Sequence, residues 1–363
     1  MGPATINAPG ATRARAAATA APMPLIRANG LDINYTAEGS GPPLVMLHGA
    51  TSSALEDWSA QRPLFRQRFR LYLVDARGHA GTRWDATQGV SSSVMVDDLL
   101  AFVDAMGLAT FHLAGFSMGA LTALWFASRH PERLRTLVAV GVGIEHEPRT
   151  SVVRRLMDPD RIEREEPSWA AQLERRHAPV QGPGAWRALL RAIARETATQ
   201  PLLTPADLRA VQVPTLLVFG DRDVFVPPDQ SVRLFRQLPA ARLFIVPDCG
   251  HHVPASRPGL FNEAAAVFYR STAEEAAERA AAGPEALRGI VLRRPARIVR
   301  PPHRSVLELP DARQLAEAAA GEGGAAGNEG AAAFASGVAA AEREPAAPEE
   351  PALAPEEEIA FGE

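Results

Sequence analysis

Short apolar runs alternate with amphipathic stretches along this chain, and the alternation predicts its fold class. Residues 44–47, 71–74, 134–142, 215–219 and 242–246 are mostly apolar, the pattern of strands buried on both faces. Residues 110–114 form a further short run of the same kind. Helical patterns stand between them, at 94–106, 120–129, 231–238 and 259–270. In the first of these Met95, Leu99, Phe102 and Met106 recur at helical spacing, and Gly107 supplies a stop. Residues 53–67 read as mostly helical with a break at Pro63. Near the start, runs at 25–27 and 31–36 flank Asn29-Gly30, a hairpin signal. Strand and helix in alternation predict an α/β protein with a mostly parallel sheet covered on both faces.

The rhythm breaks once. From about 145 to 213 no strand pattern is present. Two helical stretches, 151–177 and 185–197, are separated by the Pro- and Gly-rich segment 179–184. An all-helical insertion at 146–210 is expected to lie over the sheet as a cap. The expected organisation is then a disordered leader at 1–23, a core at 24–145 and 211–271, the cap, and a low-complexity tail at 272–363 rich in Ala, Glu, Gly and Pro. One basic segment of the tail, 288–304, is a candidate partner contact.

Composition narrows the function classes. The chain has 363 residues, 46% of them hydrophobic, enough for a sizeable core. A net charge of −4 gives no reason to expect a nucleic acid as partner. The single cysteine, Cys249, excludes an internal disulfide and a cysteine-based zinc site. No apolar run approaches the roughly 18 residues of a membrane span, and no secretory signal is recognisable at the start, so a cytoplasmic location is expected.

The chemistry centres on Gly115-Phe116-Ser117-Met118-Gly119, which follows a strand pattern and opens a helix pattern. G-x-S-x-G in that context is a nucleophile elbow, with the serine on a tight turn at the top of a sheet. An acyl-transfer serine needs a base, a group that orients the base, and donors for the oxyanion. His251 follows Gly250 directly after the last strand and is the candidate base, ahead of its neighbour His252. Asp223, just past the strand at 215–219, is the candidate acid, with Asp221 and Glu145 as rivals. The backbone amides of Ala50 and Met118 are candidate oxyanion donors. His48 reads as a loop-holding residue, Asp75, Arg77 and His79 as a loop network, and Cys249 as a buried structural cysteine. In the cap, Trp169 and Trp186 are candidate pocket residues. A small-molecule substrate is expected, with no metal or organic cofactor.

The order Ser117, Asp223, His251 resembles that of the α/β-hydrolase superfamily over residues 24–271. The motifs that carry the resemblance are Leu47-His48-Gly49-Ala50, Asp75-Ala76-Arg77-Gly78-His79, the elbow, Gly220-Asp221-Arg222-Asp223 with Pro227, and Gly250-His251 with Pro258. The resemblance implies the α/β-hydrolase fold, with an eight-stranded mostly parallel sheet, helices on both faces and a helical cap. It places the nucleophile, acid and base on Ser117, Asp223 and His251. Ala80, Thr82 and Ser256 depart from the family's usual residues at positions outside the triad. A serine at the elbow argues against the aspartate-nucleophile branches, the haloalkane dehalogenases and epoxide hydrolases. It leaves a serine hydrolase of small, fairly apolar esters or related carbonyl compounds. The alternatives are a cofactor-free haloperoxidase or perhydrolase, a carbon–carbon bond hydrolase with the same triad, and a non-catalytic binding or sensing protein on this fold.

Overall fold

A hairpin opens the described part of the chain. In the computed structural model, which describes residues 24–286, β1 (Leu25–Ala28) pairs antiparallel with β2 (Leu31–Glu38). Asn29 and Gly30 both take positive φ, 45° and 74°, the twist that a two-residue hairpin requires. Then follow β3 (Pro43–Leu47), α1 (Ala54–Asp57), α2 (Arg62–Phe65), β4 (Arg70–Val74) and α3 (Ser92–Ala105). The chain continues with β5 (Phe111–Phe116), α4 (Met118–Arg129) and β6 (Leu134–Val140). Five helices come next: α5 (Arg149–Leu156), α6 (Pro159–Glu165), α7 (Pro167–Gln181), α8 (Ala185–Thr199) and α9 (Pro205–Ala210). β7 (Thr215–Gly220), α10 (Pro228–Gln237), β8 (Ala241–Val246), α11 (Val253–Ser256) and α12 (Pro258–Ala286) complete the described chain.

The strands form one eight-stranded sheet in the order β1-β2-β4-β3-β5-β6-β7-β8. The first two strands join antiparallel, and every pair from β4 onwards is parallel. Successive side chains of the central strands point to opposite faces, and both faces are covered. In β3, Leu44 and Met46 enter one core and Val45 the other. In β7, Leu216 and Val218 face one side, Leu217 and Phe219 the other. This is why those runs carry no polar alternation. One core packs against Trp58, Phe65, Phe261 and Phe268 from α1, α2 and α12, and the other takes in α3, α4, α10 and the helical insertion.

Three boundaries differ from the sequence-based expectation. The stretch read as one helix at 151–177 is three, because Pro159 and Pro167 each open a new helix at its first turn, where proline needs no N–H partner. Conversely, α7 carries Pro179 within its last turn and ends only at Gly182. The closing helix runs beyond 270 to Ala286, since the Ala- and Glu-rich composition that reads as low complexity also has high helix propensity. The leader at 1–23, the basic segment at 288–304 and the rest of the tail lie outside the described residues. Among the described residues, no helix is long and apolar enough to cross a membrane.

Candidate active site

Ser117 is the only residue between β5 and α4. Its backbone sits at φ 51° and ψ −112°, a conformation that a non-glycine residue rarely adopts and that surrounding structure must hold. The Ser117 amide donates to the Val140 carbonyl at 2.8 Å, and Gly119 N donates to His48 O at 3.1 Å. The flanking glycines make the turn fit. A Cβ at Gly115 would fall on the Gly119 carbonyl, and one at Gly119 would lie 2.6 Å from His48 O and 2.7 Å from Leu47 O. Both neighbours are backbone and cannot swing aside. Gly119→Ala is therefore expected to destabilise the fold by about 1–3 kcal/mol, read as a lower urea midpoint, and an unchanged midpoint contradicts this packing.

His251 and Asp223 meet this serine. His251 Nδ1 donates to Asp223 Oδ2 at 2.7 Å, and Ser117 Oγ donates to His251 Nε2 at 2.9 Å. An ionised carboxylate only accepts, which assigns the ring proton to Nδ1 and leaves Nε2 as acceptor. The other carboxylate oxygen, Asp223 Oδ1, accepts from the amides of Phe225 and Val226 at 2.8 and 3.1 Å. The imidazole is nearly sealed, at 2% exposure, with the Phe225 ring centroid 4.4 Å from its own. Gly141 lies against it, and a Cβ there would sit 2.9 Å from His251 Cε1.

Two amides complete the neighbourhood of Ser117. Met118 N is the first of α4 and has no acceptor within the helix. Ala50 follows Gly49, whose amide is held by Asp57 Oδ2 at 2.7 Å. A Cβ on Gly49 would meet the Phe116 ring at 2.8 Å and the Ser117 Cβ at 3.4 Å, so this loop approaches the serine closely. Ala50, Met118, Ser117 and His251 line one pocket.

The sequence model described as "Alpha/beta hydrolase family" matches residues 44–264, more than half of the chain. The chain belongs to the alpha/beta hydrolase family. Among curated relatives, the hydrolase is 28% identical to the 2-hydroxymuconate semialdehyde hydrolase of a Pseudomonas species, over 62% of this chain and 86% of that one. It is 29% identical to the pimeloyl-acyl-carrier protein methyl ester esterase of Nitrosomonas europaea, over 63% and 96%. Among solved structures, the enol-lactonase of Burkholderia xenovorans superposes with a TM-score of 0.56 at 22% identity, covering 68% of this chain and all of that one, a likeness of fold.

The rivals of the three central residues are engaged elsewhere. The His252 ring stacks on Phe116, with centroids 4.3 Å apart and planes at 12°, and its Nε2 faces Asp57 Oδ1 at 3.7 Å. Asp221 is exposed and accepts from the Cys249 amide at 3.0 Å, and its carboxyl is held below the usual range by that bond and one from Asp248. Glu145 pairs with Arg233 at the surface. His48 accepts from Ala76 N through Nε2 at 2.9 Å and donates through Nδ1 to Gly49 O at 2.6 Å. That is the work of a neutral imidazole tying two loops. Arg77 and Asp98 form a buried two-bond pair, and Asp75, its carboxyl raised by burial, accepts from Ala54 N and Gly81 N. Cys249 is buried. Among the described residues no cluster of three or more His, Cys, Asp or Glu side chains is arranged to hold a metal ion.

The pocket above Ser117 has a cavity volume of about 70 Å³. Its walls are largely apolar, with Met95, Leu121, Val153, Met157 and Ile193 among them, and Arg149 and Glu196 supply charge. Trp169 and Trp186 are not among the lining residues. Both are buried in the core to which the helical insertion belongs, at 5% and 2% exposure, so their rings hold helices together. Sequence reasoning passed over Arg149, Val153 and Met157, yet a signal was present. They stand at i, i+4 and i+8, one stripe of a helix that an arginine heads.

Proposed function

We propose that this alpha/beta hydrolase is a serine hydrolase that cleaves a small carboxylic ester or related carbonyl compound through an acyl-enzyme. The observation that carries the reading is the continuous line Ser117 Oγ, His251, Asp223, with bonds of 2.9 and 2.7 Å, beyond the C-terminal ends of β5, β8 and β7. His251 Nε2 takes the hydroxyl proton as Ser117 attacks the carbonyl carbon. Asp223 keeps the proton on Nδ1 and stabilises the imidazolium. The amides of Ala50 and Met118 receive the oxyanion, a contribution of about 10²–10³ in rate for a single such donor in other hydrolases. His251 then protonates the leaving group, and a water molecule, deprotonated in its turn by His251, releases the acid. The apolar walls favour a small, mostly apolar acyl or alcohol part.

Carbon–carbon cleavage by the same residues is a second reading, favoured by the number of curated relatives whose names are those of 2-hydroxy-6-oxo dienoate hydrolases. A fluorophosphonate probe and a matched panel of aryl esters, lactones and vinylogous β-diketones test both. Wild type is expected to label at Ser117 and to turn over at least one class, and Ser117→Ala to lose labelling and turnover together. Turnover that survives Ser117→Ala refutes the serine mechanism, and preference for the diketone selects the second reading.

A further inference from the structure

Arg149 opens α5 and is buried at 9% exposure, on the wall of the pocket that Ser117 and His251 also line. Its Nη1 makes one long bond, 3.4 Å, to the Gly143 carbonyl. Its Nε and Nη2 are buried without a hydrogen-bond partner. Burial lowers its pKa to about 10, so the guanidinium remains a cation at neutral pH. A buried cation with an unpaired donor edge is unfavourable for the free protein, and the carboxylates of Asp223, Glu145, Glu147 and Glu196 contact other groups. Asp223 binds His251 and two amides. Glu145 binds Arg233, Glu147 accepts from Ser151, and Glu196 faces Arg195 at 4.0 Å.

The open edge has a known complement within this chain. Arg77 binds Asp98 through the same two atoms, Nε to Oδ2 and Nη2 to Oδ1, both at 2.6 Å. Arg62 binds Glu38 in the same way, at 2.6 and 3.2 Å. Two parallel N–H groups match the two oxygens of a carboxylate. The stem of Arg149 packs beside Gly143, where a Cβ would lie 3.4 Å from Arg149 Cδ and 3.2 Å from Gln230 Oε1. Val153 of the same helix and Met157 at its C-terminal cap line the same pocket, both apolar.

We propose that Arg149 binds a free carboxylate of the substrate, so that the preferred substrates are acid-bearing esters or ketones whose reacting carbonyl lies across an apolar spacer from that carboxylate. The proposal rests on the serine-hydrolase reading for the reacting carbonyl, while the anion site rests on Arg149 alone. A carboxylate fits better than a phosphate dianion. The pocket offers one guanidinium edge, and Glu196 on its wall repels a second negative charge.

The test pairs p-nitrophenyl hydrogen glutarate with p-nitrophenyl valerate, which share a leaving group and differ in the terminal carboxylate. Wild type is expected to favour the acid-bearing ester in kcat/KM. Arg149→Met is expected to lower the acid-to-neutral ratio by at least about tenfold, the effect of losing a charged bidentate contact, and Arg149→Lys to restore part of it. Unliganded Arg149→Met should melt no lower than wild type, because it removes an uncompensated buried charge, whereas a purely structural arginine would leave a less stable variant. A binding arm needs no turnover. Calorimetry of monoethyl glutarate on Ser117→Ala, with and without Arg149→Met, should show binding weakened by about tenfold or more in the double variant. An acid-to-neutral ratio that Arg149→Met leaves unchanged overturns the proposal while labelled Ser117 keeps the hydrolase reading. Equal binding of monoethyl glutarate and propylphosphonate to Ser117→Ala overturns the carboxylate assignment. Arg149-dependent binding in a protein whose Ser117 does not label upholds the anion site and removes the hydrolase reading instead.

Discussion

Replacing His251 with alanine is expected to lower turnover of an activated ester by about 10⁴-fold or more, while His252→Ala lowers it far less. The two imidazoles are adjacent in sequence and both nearly sealed, at 2% and 4% exposure, so burial does not separate them. Their partners do. His251 Nε2 meets the Ser117 hydroxyl and Nδ1 meets Asp223. His252 lies flat on Phe116 and faces Asp57, the residue that also holds the Gly49 amide. In the proposed mechanism, losing His251 removes the proton acceptor and the later proton donor in one step. Losing His252 removes a stacked ring and loosens the Gly49 loop, which lowers stability and shifts the Ala50 amide, the proposed oxyanion donor, without removing it. Steady-state kinetics on both variants, with thermal melts to verify folding, decide the matter. A large loss in His252→Ala together with near-normal turnover in His251→Ala overturns the assignment of the base.

Most of this site is legible in the sequence because its signals are local. Ser117 is bracketed by glycines that a sharp turn demands, and the structure shows the carbonyls that any Cβ there would strike. His251 follows Gly250 at a strand end, and Asp223 follows a Gly-Asp turn at another. Each residue is marked by its immediate neighbours, and the parallel sheet then delivers all three to one edge. The insertion between β6 and β7 is less legible because what matters there is set by packing. The pattern reads as one helix through Pro159 and Pro167, although each begins a new helix, and Pro179 reads as a break, although it sits inside one. Trp169 and Trp186 are as apolar as a pocket wall, and hydrophobicity alone does not separate a wall from the interior of the insertion. Arg149 stands among Arg154, Arg155, Arg161 and Arg164, most of them exposed, and only the stripe it shares with Val153 and Met157 distinguishes it.

Acidification from neutral pH to about pH 5 is expected to destabilise the fold. The cause is a set of imidazoles buried in their neutral form. His177, on α7, is held down to about 3, chiefly by burial and then by the Arg176 charge. It accepts from Ala80 N at 3.0 Å and donates to Thr51 O at 3.1 Å, an arrangement that only the neutral ring allows. His112, on β5, is lowered to about 4, by burial first and then by Arg135. His79 and His252 are lowered as well, burial again leading in each. The sign follows from proton uptake. In the unfolded chain these rings titrate near 6.5. Below that value the unfolded state binds protons that the folded state refuses, so stability falls with pH until the folded pKa is reached. Each such ring costs about 1.4 kcal/mol per pH unit below about 6.5. His177 and His112 together then remove about 4 kcal/mol by about pH 5, a large share of a stability of about 5–15 kcal/mol. His79 and His252 add to the loss. Asp75, whose carboxyl is raised by burial, works in the opposite direction. The exposed carboxyls held low, among them Asp221 and Asp229, lose their contribution only in more acid solution. Urea midpoints at pH 7.5, 6 and 5 measure the slope. His112→Gln, which keeps a polar contact for Thr136 but cannot take up a proton, should remove close to one proton from it. A midpoint that stays level from pH 7.5 to 5 shows that these rings are not held neutral by the fold.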